Sequence, residues 1–161
     1  ANTKQTKNIV VDPSKFFRES MIRWATGIGR LDGIIVTHEH CDAILGMDDI
    51  RQMQNFRENT KMPVYIGEPF YEAIKATFYY MFQVDKNLGP VANICPTKIR
   101  ELEPFTVERC PSLTFTPIML KHSRCAFNLL PPYMTTPPPS PYSTGRMVSC
   151  IFLFILYAYM L

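Results

Sequence analysis

Residues 31–52 read LDGIIVTHEHCDAILGMDDIRQ. Ile34-Ile35-Val36 is a β-branched run of the kind that forms a buried strand, and it leads straight into Thr37-His38-Glu39-His40. Alternate residues of an extended segment share a face, so His38 and His40 leave the sheet on one side, with Asp42 next in that register. The carboxyl end of a buried strand is also where α/β sheets place ligands. Two imidazoles and a carboxylate at this spacing suit zinc or a similar divalent ion. A bare His-x-His is more often a solvated turn. Here the apolar strand before it, Asp42 and an Asp-opened helical segment after it favour the metal. Glu39 points to the opposite face, as a surface group or a support to the ligands.

Upstream, Ile9-Val10-Val11 predicts a buried strand closed by an Asp12-Pro13 turn. Residues 15–24 predict a helix with Phe16 or Phe17, Ser20 or Met21, and Trp24 near one face. Downstream, Met47, Ile50, Met53 and Phe56 recur every third residue behind Asp48 and Asp49, predicting a helix over 46–57 whose acidic residues suit its positive end. Val64-Tyr65-Ile66 predicts a third strand, and Pro69 opens a helix to about Phe82. The aromatic run Phe78-Tyr79-Tyr80-Met81-Phe82 reads as core or lid. Residues 85–98 read as loop, with short strands around 99–102, 105–108 and 112–120. The last delivers His122. The order is mixed α/β, with sheet faces that need helical cover.

The chain has 161 residues and a formal charge of +3, one domain's worth, with no argument for nucleic acid as the main partner. Of 31 charged residues, only Arg146 lies beyond position 125, so the chain divides into 1–125, 126–146 and 147–161. Six of the eleven residues from Pro131 to Pro141 are proline, which predicts a linker. The uncharged run Met147–Leu161 is fifteen residues, short of the roughly twenty that span a bilayer, so a membrane is not the expected partner. A tail anchor, a buried or aggregation-prone terminal strand, and an altered reading of the gene remain open for 126–161; the abrupt change in composition favours the last. Five cysteines without a Cys-x-x-Cys pair predict reduced thiols in a cytoplasmic protein. The polar opening ANTKQTKN lacks the apolar core of a secretory signal, and Ala1 in place of Met points to a fragment or processed product.

Residues 31–52 resemble the first metal motif of the metallo-β-lactamase-fold hydrolases. The nearest flavour is the phosphodiesterase branch that includes the phosphonate-pathway cyclic phosphodiesterase and the tRNA 3′-end-processing endonucleases. The strand and Asp-Pro turn at 9–13, followed by FFRESMIRW, resemble the segment before this motif in that branch. The resemblance runs over about 9–125 and is carried mainly by 9–57. It implies a partial αββα sandwich, the first βα half, ahead of the Pro-rich linker and apolar tail.

By that resemblance His38 and His40 hold one metal, zinc or manganese. Asp42 serves the neighbouring metal position or steers the bound water, and His122 supplies a third nitrogen. The implied reaction is hydrolysis of a small phosphodiester by metal-activated water. The sequence departs from the family pattern in four places. Ala43 stands where the fullest motif has a second histidine, no Asp or Glu follows Glu108, and no His follows His122. The glycine-rich strand expected upstream of Ile9 is also absent. Intact relatives carry one or two ions; at most one is expected here, with low or no activity. The alternative is a non-catalytic truncated or mis-spliced product keeping a metal-binding half-site. In either case the resemblance leaves a second half to be supplied, or an oligomer to replace it.

Overall fold

The computed structural model describes residues 7–25, 27–28, 30–54, 61–83, 91–120 and, for the backbone, 126–130. Strands β1 (Ile9–Val11), β2 (Gly33–Val36), β3 (Met62–Gly67) and β4 (Ile94–Ile99) form a parallel sheet in that order. The apolar runs of β1, β2 and β3 are continuous because both sheet faces are covered there, the usual state of a parallel sheet, whereas β4 buries only Ile94 and Ile99. Val10, Ile34, Val36, Val64, Ile66 and Ile94 face a core shared with the helices. The alternate residues Ile9, Ile35, Tyr65 and Ile99 face Val107, Cys110 and Phe115 on the other side. That second layer is antiparallel: β5 (Phe105–Val107), β6 (Cys110–Leu120) and β7 (Ala126–Leu130). The architecture is a mixed α/β partial sandwich, as the resemblance implies. The sheets approach closely at Gly33, where a Cβ would stand 2.6 Å from Val107 Cγ1.

The first crossover carries α1 (Phe17–Trp24), which buries Phe17 and Met21 one turn apart, with Ala25 a further turn on. Trp24 is 81% exposed, so the buried stripe is not the one expected to include it. The second crossover holds α2 (Cys41–Ile44) and a 3-10 segment, Met47–Met53, in place of the single helix expected over 46–57. The strict three-residue repeat of Met47, Ile50 and Met53 matches 3.0 residues per turn, which stacks those side chains on one edge. The third crossover begins with a 3-10 turn at Glu68–Phe70, with Pro69 in its first turn. It continues as α3 (Tyr71–Thr77) and α4 (Tyr79–Phe82), broken at Phe78, whose φ is −112° and ψ 37°.

Three expectations are corrected in the second half of the chain. Residues 94–99, read mostly as loop, form β4 despite Pro96, because β4 is an edge strand and needs partners on one side only. The strand expected around 99–102 is a turn, with Leu102 at φ 59°. Residues 126–130, assigned to the linker, form β7, which pairs antiparallel with Thr116–Leu120 ahead of the first proline at 131. The remaining linker and the apolar tail lie outside the described residues. Among the described residues no helix is long and apolar enough to cross a membrane. Cys41, Cys95 and Cys110 are free thiols.

Candidate metal centre

The centre is assembled where β1 and β2 end side by side. Asp12 leaves β1 at φ 54°, a left-handed conformation that Asp tolerates better than most residues. Its N–H still donates to the Ile35 carbonyl at 2.9 Å, which holds the sheet register up to the bend. The bend turns the carboxylate back over the end of β2. There Oδ1 accepts the Thr37 N–H at 2.8 Å and Oδ2 accepts the Thr37 hydroxyl at 2.7 Å. The Thr37 hydroxyl oxygen lies 2.8 Å from His38 Nδ1. Thr37 and His38 are both buried.

His38 and His40 sit just beyond the last residue of β2, on either side of a bend at Glu39; His40 itself is extended, with φ −67° and ψ 148°. The two rings nevertheless come together as the spacing predicts, meeting edge-on with centroids 4.6 Å apart. The His40 carbonyl then accepts N–H groups from Ala43 and Ile44 and starts α2. That turn brings Asp42 round to the histidines. Donor atoms of His38, His40 and Asp42 all lie within 4.8 Å of one another. Two ligands about 2.0–2.2 Å from one ion can be no more than about 4.4 Å apart. The group is close to the spacing that one ion needs. Two imidazoles and a carboxylate thus fit a divalent cation in both chemistry and spacing.

His122 lies outside the described residues, so the structure brings together three of the four expected ligands. Ala43 is buried in the helix-side core. Glu39 is half-buried, with one carboxylate oxygen shut off from solvent and no hydrogen-bond partner among the described residues. Asp48 accepts the Tyr80 hydroxyl at 2.6 Å and opens the 3-10 segment, in line with a structural role. Cys41 is exposed beside the ligands but is not part of the donor group. Sequence reading missed Asp12 and Thr37. The signal was an acidic residue directly after a β-branched run, which was credited only with a turn.

Burial pushes the Asp12 carboxyl up from 3.8 to about 6, with Asp42 adding to the rise and the two Thr37 hydrogen bonds opposing it. A folded-state pKa above the unfolded one means that the folded chain binds the proton more tightly. The contribution to stability is complete below about pH 4 and is lost as pH rises through about 6. In chelator, wild-type stability should therefore decline across that window relative to Asp12→Asn, by at most about 3 kcal/mol. Parallel pH profiles of urea unfolding for the two proteins would refute this.

A family model described as the beta-lactamase superfamily domain matches residues 7–136. The octanoyltransferase of Porphyromonas gingivalis is 30% identical over 123 residues, which are 76% of this chain and 23% of that protein. Among solved structures, a diphosphatase of the PhnP family superposes with TM-score 0.60 at 24% identity, covering 76% of this chain and 43% of that one. The metallo-beta-lactamase fold protein YhfI from Bacillus subtilis gives TM-score 0.51 at 14% identity, covering 75% and 44%. The chain thus spans under a quarter of the curated relative and under half of each solved one.

Proposed function

The chain belongs to the beta-lactamase superfamily and is a hydrolase-family protein with the metallo-beta-lactamase fold, and from that premise we propose that it is a metal-dependent phosphodiester hydrolase module. The observation that carries the reading is the convergence of His38, His40 and Asp42 at the carboxyl end of β2. A fold neighbour named as a diphosphatase supports attack at phosphorus. The transferase name belongs to a protein of which the matched stretch is 23%, and it carries no acyl-transfer chemistry to this site.

His38 and His40 hold the cation through ring nitrogens, with His122 proposed as the third nitrogen ligand. A divalent ion in such a site supplies an acidified water near neutral pH and Lewis-acid stabilisation of phosphoryl charge. Asp42, on the solvent side, would orient a water as an acceptor or serve a second ion. Asp12 and Thr37 keep His38 in place. Zinc is the first candidate, manganese the second.

Turnover is expected to be slow, because the donors brought together among the described residues, His38, His40 and Asp42, make up the site of one ion and not two. The test combines metal analysis of the purified chain with hydrolysis of a bis-aryl phosphodiester. Uptake of zinc or manganese together with weak, chelator-reversible turnover supports the reading. No metal uptake, or turnover indifferent to chelator, removes it. Metal uptake without any turnover would favour a non-catalytic half-site.

A further inference from the structure

A threonine hydroxyl has one proton to give, and the arrangement around Thr37 decides where it goes. Asp12 is a carboxylate at mildly alkaline pH and offers only lone pairs. Its Oδ1 is engaged by the Thr37 N–H at 2.8 Å, and its Oδ2 stands 2.7 Å from the Thr37 hydroxyl. The hydroxyl proton therefore goes to Asp12. The 2.8 Å contact between Thr37 Oγ1 and His38 Nδ1 must then be donated by the ring. That leaves the proton on Nδ1 and the lone pair on Nε2, a buried atom.

We propose that Thr37 is a positioning residue whose hydroxyl, committed to Asp12, locks His38 in the Nδ1–H tautomer and so presents Nε2 to the cation. This rests on the reading of His38 as a metal ligand. Donation runs from His38 through Thr37 to Asp12, and the His38 link is fixed by the link from Thr37 to Asp12. A metal-bound histidine is oriented by the partner of its other ring nitrogen, and losing that partner typically costs about 10–100-fold in metal affinity. Here the partner is a neutral hydroxyl whose acceptor role is enforced from 25 residues away in sequence.

Substitutions at Thr37 and Asp12 separate by what they do to that polarity. Thr37→Ser keeps the relay. Thr37→Val keeps the shape and removes it. Asp12→Asn keeps every heavy atom and reverses it: the amide oxygen is claimed by the Thr37 N–H, so the amide nitrogen donates to the hydroxyl. The hydroxyl must then donate to His38 Nδ1 and drive the ring to the Nε2–H tautomer.

The experiment pairs zinc affinity, by chelator competition, with ring-nitrogen NMR of histidine-labelled, metal-free protein at mildly alkaline pH. Wild type and Thr37→Ser should show Nδ1–H at His38 and zinc affinities within about threefold of each other. Thr37→Val should lose about 10–100-fold in affinity. Asp12→Asn should lose at least as much and show the Nε2–H signature, which a merely structural defect would not produce. A wild-type ring protonated on Nε2 overturns the proposal, as does a folded Thr37→Val variant with unchanged affinity. If Thr37→Val fails to fold, the wild-type and Asp12→Asn spectra still decide it. A wild type that takes up no zinc but shows Nδ1–H would refute the hydrolase reading and leave the relay standing.

Discussion

His40→Ala is expected to leave the purified chain with no stoichiometric metal and to reduce zinc affinity by well over a hundredfold. His40 is one of only three donors brought together among the described residues. Removing a mere supporting partner of a ligand already costs about 10–100-fold, and removing the ligand itself must cost more. The backbone consequences are small by comparison. His40 starts α2 through its carbonyl, which alanine retains, and its side chain makes no capping hydrogen bond to the helix. The fold should survive while the metal is lost, and any chelator-sensitive phosphodiester turnover should disappear with it. Cys41→Ser is the matched control: that thiol is next in sequence, exposed, and outside the donor group, so its loss should leave affinity within about twofold. Equal metal content in wild type and His40→Ala would sink the ligand assignment. Loss of metal in Cys41→Ser would show that the donor set had been drawn wrongly.

The parts of this site that sequence exposes are those whose geometry is local. Ile34–Val36 and the His-x-His after it are neighbours in sequence, so the meeting of His38 and His40 was legible from spacing alone. The first three strands were legible for a similar reason: a parallel sheet covered on both faces concentrates β-branched residues into runs that polar loops do not imitate. Elements set by their neighbours were not legible. β4 contains Pro96, which argues against a strand until the strand is known to lie at the sheet edge. Met47, Ile50 and Met53 were read as an α-helical face, although a repeat of three is the 3-10 period. Trp24 looked like core and stands in solvent because Phe17 and Met21 already fill the contact with the sheet. Asp12 was hidden most completely. Its role depends on a left-handed backbone angle and on a threonine one strand away, and neither is written in the residues beside it.

That dependence makes the loop after Asp12 the mechanical support of the metal centre, and Gly46 is the place to break it. Gly46 lies between α2 and the 3-10 segment and donates its N–H to the Pro13 carbonyl at 2.8 Å. A Cβ there would be driven into the Ser14 carbonyl and the Phe17 Cβ, with the Pro13 carbonyl 2.8 Å away. Two of those obstacles are backbone, which cannot rotate aside as a side-chain tip can. Gly46→Ala should therefore cost about 3 kcal/mol, the upper end of ordinary overpacking. Phe17→Ala attacks the same contact from the other side by emptying a fully buried site, and should cost about 3–5 kcal/mol. The two variants differ in what they do to the metal. Gly46→Ala pushes on Pro13 and Ser14, the residues that follow Asp12, and should loosen the carboxylate from Thr37, so zinc affinity falls as well as stability. Phe17→Ala leaves a void behind the loop without pushing on it, and its folded fraction should bind zinc nearly as wild type does. Urea unfolding of the metal-free proteins with zinc competition on the folded fractions measures both effects. A Gly46→Ala cost below about 1 kcal/mol would show that the loop yields freely. A large cost with unchanged zinc affinity would show that Asp12 is held from the β2 side alone, through Thr37 and the Ile35 carbonyl, rather than from the loop behind it.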